Sequence, residues 1–191
     1  MLEALLVTGI HREELGFGDR VTSLLNVDRI QVMRIPDGIS HARTGTDDLF
    51  YYTNQHREIY LQLHQQVKGR YRLLIDLHCG LNDAGRCADI YCRDERLLQC
   101  VVERSRRTEL GEELRLVKIL ANSEDSDGAG DGTGVHVGAR TLIPEQLWND
   151  PSFIYVGLEI YLTEPGDGVA EDWHFTGDLI ETIQACAESG T

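Results

Sequence analysis

The stretch Leu5–Glu14, with the sequence LLVTGIHREE, sets the expectation for both the fold and the chemistry of this chain. Its apolar first half ends at a Thr-Gly pair, as a buried strand does when it runs into a turn. A histidine and a glutamate follow three residues apart, and positions i and i+3 face the same way on a helical turn. His11 and Glu14 can therefore converge on one point, which a divalent metal commonly occupies. The alternative is a solvated helix start at which Glu13 and Glu14 favour the helix dipole.

Length and charge narrow the class of protein. A chain of 191 residues suits one domain, spanning residues 1–191, with a substantial core. The formal net charge of −14 argues against nucleic acid or an anionic membrane surface as a partner, because both would be repelled. No apolar run approaches the roughly twenty residues of a membrane span. The first residues, MLEALLVTGI, lack the basic start of a signal peptide, so a cytoplasmic protein is expected.

The five cysteines are odd in number and scattered, and no two of them form a CxxC pair. A disulfide framework is not expected in a domain of this size. The sequence therefore predicts buried, reduced thiols.

Apolar patterns predict alternating strands and helices. The predicted strands are Ala4–Thr8, Asp28–Ile35, Tyr71–His78, Ala88–Cys92, Leu114–Ala121 and Phe153–Leu162. Helices are predicted after Glu14 to about Leu25, from Thr46 or Asp47 to Val67, over Glu95–Arg107 and over Asp172–Ala187. This order predicts an α/β fold, a three-layer sandwich with a central mixed, mostly parallel sheet.

The segment Asn122–Gly138 is rich in Gly, Asp and Ser, and predicts a loop that could act as a lid. Its acidic run Asp125–Asp131 is similar to a calcium loop, but it lacks the terminal glutamate and the correctly placed glycine. His136, just after the glycines, is a candidate for stabilising an oxyanion or a loop histidine without a role. His56 falls on the apolar face of its predicted helix and is expected in the core.

Three predicted strands end in groups that suit a metal hydrolase, and ligands of open α/β sheets bind beyond such ends. His11, Glu14 and His78 make a three-ligand set that leaves a fourth zinc position open for water. Asp76 is placed to accept a hydrogen bond from a ligand imidazole and so to fix its tautomer. Glu159 is costly within an apolar run unless it is needed, for example as a general base beside a metal-bound water.

The motifs HREE at His11–Glu14, DLH at Asp76–His78 and VGLE ending at Glu159 resemble the succinylglutamate desuccinylase/aspartoacylase family. That family belongs to the zinc-carboxypeptidase-like hydrolases. The resemblance spans residues 5 to about 162 in the family's order. It implies that His11, Glu14 and His78 hold Zn²⁺ and that Glu159 is the catalytic carboxylate.

Two departures affect the predicted substrate site. The family usually has glycine and asparagine between its first two ligands, where this chain has Arg12 and Glu13. The family's Asp-Leu-Asn-Arg motif, which holds the substrate carboxylate, has no counterpart in the sequence. Substitutes by position are Arg43, in a polar loop, and Asn54 or Arg57, on the helix that follows. The alternative for these residues is a loop charge and a solvated helix face.

The sequence thus predicts a zinc-dependent hydrolase that cleaves an amide bond of an N-acyl amino acid or a similar small carboxylate. Glu159 would serve as general base and then general acid. Two alternatives stay open: a metallocarboxypeptidase acting on peptides, and a catalytically silent metal-binding domain.

Overall fold

The structure, a computed structural model, describes residues 4–26, 28–40, 46–82, 85–108, 114–121 and 137–189, without the side chains of 46–51. Within these ranges the strands are β1 Ala4–Thr8, β2 Ile30–Arg34, β3 Leu73–Leu81, β4 Cys87–Cys92, β5 Leu114–Ile119, β6 Val137–Ala139 and β7 Ile154–Leu162. The helices are α1 Leu15–Thr22, α2 Thr46–Val67, α3 Glu95–Ser105, α4 Glu145–Trp148 and α5 Ala170–Ser189. A single 3₁₀ turn, Arg12–Glu14, precedes α1.

The strands form one sheet in the order β2-β1-β3-β7-β4-β5-β6. Neighbouring strands are parallel except β4 and β7, which are antiparallel. Side chains of α1, α3 and α5 pack with one face of the sheet in the larger core cluster, and α2 and α4 pack against the other. The predicted three-layer α/β sandwich with a mixed, mostly parallel sheet is confirmed.

Two elements were not predicted from the sequence: β6 and α4. They have three and four residues, which is too short for a hydrophobic period to show. No helix in the described part of the chain is both long and apolar enough to cross a membrane.

The cysteines correct one expectation. Cys100 on α3 and Cys186 on α5 form a disulfide across 86 residues of sequence, whereas Cys79, Cys87 and Cys92 are free thiols. The prediction of reduced thiols throughout is therefore wrong for this pair. Sequence spacing could not show it, because the two cysteines meet only where α3 and α5 pack side by side. Disulfides are typical of oxidising compartments, so the cytoplasmic assignment stays a prediction.

The chain leaving β1 is held tightly against the segment that follows β2. Ile39 N–H donates to Ile10 C=O at 2.8 Å, and Arg12 N–H donates to Ile39 C=O at 3.0 Å. Gly38 permits this approach, because a Cβ there would lie 1.9 Å from the carbonyl oxygen of Gly9. The turn after β1 is thus fixed on the sheet by backbone contacts before any side-chain chemistry is considered.

Gly9 allows a prediction with an internal control. It has φ +82°, and a Cβ on it would lie 2.5 Å from the Ile35 carbonyl oxygen; Gly69 has φ +73° with nothing within 4 Å. Gly69→Ala should cost only the left-handed backbone, about 1–2 kcal/mol in the free energy of unfolding. Gly9→Ala should cost clearly more, because the backbone must also move. Urea unfolding of both variants measures the difference, and equal losses would contradict the tight packing of the turn.

Candidate metal centre

Three polar side chains are brought together where β1 and β3 lie side by side. His11 follows β1, Glu14 ends the 3₁₀ turn, and His78 lies in β3. The two strands are parallel neighbours with Thr8 opposite Leu77, so His78 lies next to the chain that leaves β1. All three side chains are buried. The i, i+3 spacing of the first pair and the parallel register together produce the cluster.

Glu14 bridges the two imidazoles. Its Oε1 lies 2.9 Å from His11 Nδ1, and its Oε2 lies 2.9 Å from His78 Nδ1. One ligand-type atom from each of the three residues lies within 4.8 Å of the others. Each histidine therefore directs its Nδ1 toward a shared point beside the carboxylate.

The Nε2 atoms face other polar groups. His78 Nε2 lies 3.1 Å from Oδ2 of Asp76, a buried carboxylate that also accepts hydrogen bonds from the Tyr60 and Tyr155 hydroxyls at 2.7 and 3.0 Å. His11 Nε2 lies 3.1 Å from the Tyr52 hydroxyl. The contact expected of Asp76 with a ligand imidazole is present, and tyrosines add to it.

The electrostatics of the cluster favour a charged network. Burial alone would raise the pKa of Glu14, but hydrogen bonds and charge from His11 and His78 outweigh it and lower the pKa to about 2. Burial would lower the pKa of His78, but the charge and hydrogen bond of Asp76, with Glu14, raise it well above its usual value. Two imidazoles are thus held by carboxylates, an arrangement in which a cation can replace protons.

The donor set fits a divalent metal. A nitrogen of each of His11 and His78 and a carboxylate oxygen of Glu14 converge at a buried site. The Nε2 atoms of both histidines already have other partners. Nitrogen and oxygen ligands in this combination suit zinc, with a fourth position left for water or substrate. His11, Glu14 and His78 would be the residues that hold the ion.

Glu159 lies beside this cluster. It is directly opposite His78 in the parallel β3–β7 pair, and both residues line one cavity of about 340 Å³. Burial is the main cause that raises the pKa of Glu159 to about 7, and the negative charge of Glu14 adds to the increase. A carboxyl group with this pKa can hold or release a proton near neutral pH.

The rest of the cavity is formed by α2, β4, β5, β6, β7 and the segment after β6. Its floor at Gly157 is bare backbone, and a Cβ there would lie 3.2 Å from the Tyr155 hydroxyl and 3.4 Å from Tyr91 Cβ. The other wall residues are mostly apolar or aromatic: Tyr91, Ile119, Ala139, Thr141, Leu142 and Ile143. Among the described residues that line the cavity, Arg140 is the one lysine or arginine.

The predicted substrate residues are not part of this wall. Asn54 and Arg57 are exposed on α2 and do not line the cavity. Arg43 and His136 lie outside the described residues, as does most of the segment Asn122–Gly138. The roles predicted for Asn54, Arg57, Arg43 and His136 stay predictions.

Sequence reasoning missed Arg140 and misplaced His56. Arg140 follows a segment with no usable pattern. His56 is half-buried and lines the cavity with its ring centroid 6.3 Å from that of His11, rather than lying in the core. A helical stripe of aromatic and histidine side chains is as typical of packing against a sheet as of lining a cavity, so the pattern around His56 was ambiguous.

No family model matches the chain, and no curated protein matches it. Several solved structures share its fold. Murine aminoacylase 3 is 15% identical with a TM-score of 0.52, over 98% of this chain and 64% of that one. The ectoine utilization protein EutE of Ruegeria pomeroyi is 12% identical with a TM-score of 0.52, over 98% and 57%. A Shewanella amazonensis protein, assigned only provisionally as a metallopeptidase, is 14% identical with a TM-score of 0.50, over 95% and 76%.

At these identities the similarity establishes the fold alone. This chain spans 64% of the length of aminoacylase 3. The chain shares this architecture with aminoacylase 3, and it carries a His-Glu-His cluster between the turn after β1 and His78 of β3.

Metal content gives the first test of the cluster. Purified protein should carry close to one zinc ion per chain, and His11→Ala or His78→Ala should lose most of it, because each removes one of three ligands. His174→Ala, an exposed histidine on α5, is the matched control and should keep its zinc. Elemental analysis after dialysis measures the content. A folded wild-type protein that cannot be loaded with zinc would contradict the metal centre.

Proposed function

We propose that the protein is a zinc-dependent hydrolase that cleaves the amide bond of an N-acyl amino acid or a similar small carboxylate. The observation that carries this proposal is that Glu159 shares one cavity with His11 and His78 of the His-Glu-His cluster. A structural metal site has no use for an additional half-buried acid, whereas hydrolysis by a metal-bound water needs a general base. The sequence motifs and the fold of aminoacylase 3 support the same class of enzyme.

Bound zinc would polarise the scissile carbonyl and lower the pKa of its water. In the proposed reaction Glu159 accepts the proton of the attacking water and delivers it to the leaving amine. Its raised pKa of about 7 suits both steps, because the group is then neither too weak a base nor too weak an acid near neutral pH.

We propose Arg140 as an anchor for the substrate carboxylate. It lines the same cavity as Glu159, and the wall between them is mostly apolar. A guanidinium pairs with a carboxylate by two parallel hydrogen bonds, which orients as well as binds. Arg57 is exposed outside the cavity, and Arg43 remains a candidate for the same role.

The size of the cavity bears on the substrate. About 340 Å³ lies at the small end of the range for ligand sites and suits an acylated amino acid better than an extended peptide. We therefore place peptide trimming by a metallocarboxypeptidase second. The net charge of −14 supports a small molecule rather than nucleic acid or a membrane as the partner.

Glu159→Gln should separate the base from the ligands. It keeps the side-chain shape and removes the titrating group, so zinc content should stay while turnover of N-acetyl amino acids falls by about 10²–10⁴-fold. Glu58→Gln, an exposed carboxylate on α2, is the control and should change neither. Loss of zinc together with activity would show that Glu159 is a ligand instead.

The pH profile adds a second measurement on the same variant. A general base works only when it is deprotonated, so kcat/KM should rise with pH through the pKa of Glu159. That pKa is about 7 without a metal, and a bound dication lowers it, so the acidic limb should have its midpoint at or below 7. The residual activity of Glu159→Gln should lack this limb.

Arg140→Ala tests the anchor. Because it removes a hydrogen bond between charged groups, kcat/KM for N-acyl amino acids should fall about tenfold or more. The matching N-acyl amino acid amides, which have no carboxylate, should be hydrolysed as by the wild type. Arg70→Ala, at an exposed arginine that does not line the cavity, is the control and should stay within about twofold of the wild type. An equal loss on acids and amides would contradict a carboxylate contact.

A further inference from the structure

Helix α2 presents three ring side chains to the metal centre at intervals of four residues: Tyr52, His56 and Tyr60. Side chains at this spacing lie on one face of a helix. The Tyr52 hydroxyl reaches His11 Nε2 at 3.1 Å, and the Tyr60 hydroxyl lies 3.3 Å from His78 Nε2. Two hydroxyls from one helix thus contact the Nε2 atoms of both candidate ligand histidines.

The contact at His11 bears on which of its nitrogens can bind a metal. A histidine that ligates through Nδ1 must carry its proton on Nε2, and that N–H needs an acceptor. The Tyr52 hydroxyl oxygen is placed to accept it at 3.1 Å. The Tyr52 and His11 rings are also stacked, with centroids 6.3 Å apart and planes 8° from parallel. Tyr52 therefore favours both the tautomer and the ring orientation that point Nδ1 at the metal.

The contact at His78 works through a carboxylate. Three donors converge on one oxygen of Asp76: His78 Nε2 at 3.1 Å, the Tyr60 hydroxyl at 2.7 Å and the Tyr155 hydroxyl at 3.0 Å. The other oxygen of Asp76 is buried and has no hydrogen-bond partner in the described part of the chain. The hydroxyls thus hold the carboxylate in the rotamer that directs Oδ2 at His78.

We infer that Tyr52 and Tyr60 are positioning residues for the metal, and that α2 fixes the tautomers of both ligand histidines through these two hydroxyls. This inference rests on the metal centre of the proposed function. Neither hydroxyl needs to touch the substrate for this role, so the primary effect is on metal affinity. Outer partners of this kind are commonly worth 10–100-fold in metal binding.

The test uses Tyr→Phe variants, which keep the ring and remove only the hydroxyl. Tyr52→Phe and Tyr60→Phe should each weaken zinc binding about 10–100-fold, measured by competition with a chromophoric chelator at fixed pH. Tyr71→Phe is the control, because its hydroxyl donates to Gln31 on the surface and should leave the affinity unchanged. Tyr155→Phe should have a smaller effect than Tyr60→Phe, since the Tyr155 hydroxyl contacts Asp76, whereas the Tyr60 hydroxyl contacts both Asp76 and His78.

A second readout distinguishes positioning from general stability. Zinc-loaded wild-type protein with ¹⁵N-labelled histidine should show the Nε2–H tautomer for His11 and His78 by long-range ¹H–¹⁵N NMR. Tyr52→Phe should broaden or shift the His11 signals while those of His78 stay, and Tyr60→Phe should do the reverse. A hydroxyl with a merely structural role would lower the thermal unfolding temperature of the metal-free protein without this residue-specific pattern.

The outcomes separate the two proposals. If wild-type protein binds zinc and both variants match Tyr71→Phe within about twofold, the inference about α2 is wrong and the metal centre stands. If wild-type protein binds no zinc, both fall. If Tyr60→Phe fails to fold, Tyr52→Phe decides alone, because its hydroxyl belongs to a half-buried side chain away from the buried Asp76.

Discussion

The bridge that the Glu14 carboxylate makes between two buried imidazoles is the interaction on which the site depends. Each carboxylate oxygen lies 2.9 Å from the Nδ1 atom of a different histidine. A charge in such a place is costly unless its partners are held in position. The parallel β1–β3 register brings His78 to the turn, and the backbone hydrogen bonds between residues 10–12 and Ile39 keep that turn on the sheet. The fold thus fixes the two histidine partners of this carboxylate.

Sequence reasoning found the part of the site that local rules encode. An apolar strand that ends in a glycine turn locates His11 and Glu14, and two-residue alternation places Asp76 and His78 on one face of β3. Glu159 stood out because a carboxylate interrupts an apolar run. These signals depend on neighbours within a few residues. The mixed, mostly parallel sheet then follows from the alternation of strands and helices along the chain.

What could not be predicted depends on packing between distant segments. Nothing local distinguishes Tyr52 and Tyr60 from ordinary core residues, because a helix face that packs on a sheet and one that packs on a metal centre have the same spacing. Arg140 follows a three-residue edge strand that carries no period. The antiparallel pairing of β4 with β7 also has no signal in the local sequence, yet it brings Tyr91 beside Gly157 at the floor of the cavity.

The Cys100–Cys186 disulfide divides the molecule in a way that the sheet does not. It closes a covalent ring between two cysteines that are 86 residues apart in the sequence, and this ring contains Arg140, Gly157 and Glu159. The His-Glu-His cluster lies outside the ring, on the N-terminal arm that precedes Cys100. In the chain-entropy model such a ring stabilises the folded state by about 4–5 kcal/mol, because it lowers the conformational entropy of the unfolded chain within the ring. A protease that cuts once inside the ring therefore leaves one covalent molecule until the disulfide is reduced, while a cut between His78 and Cys100 breaks the covalent link between the His-Glu-His cluster and the rest of the chain.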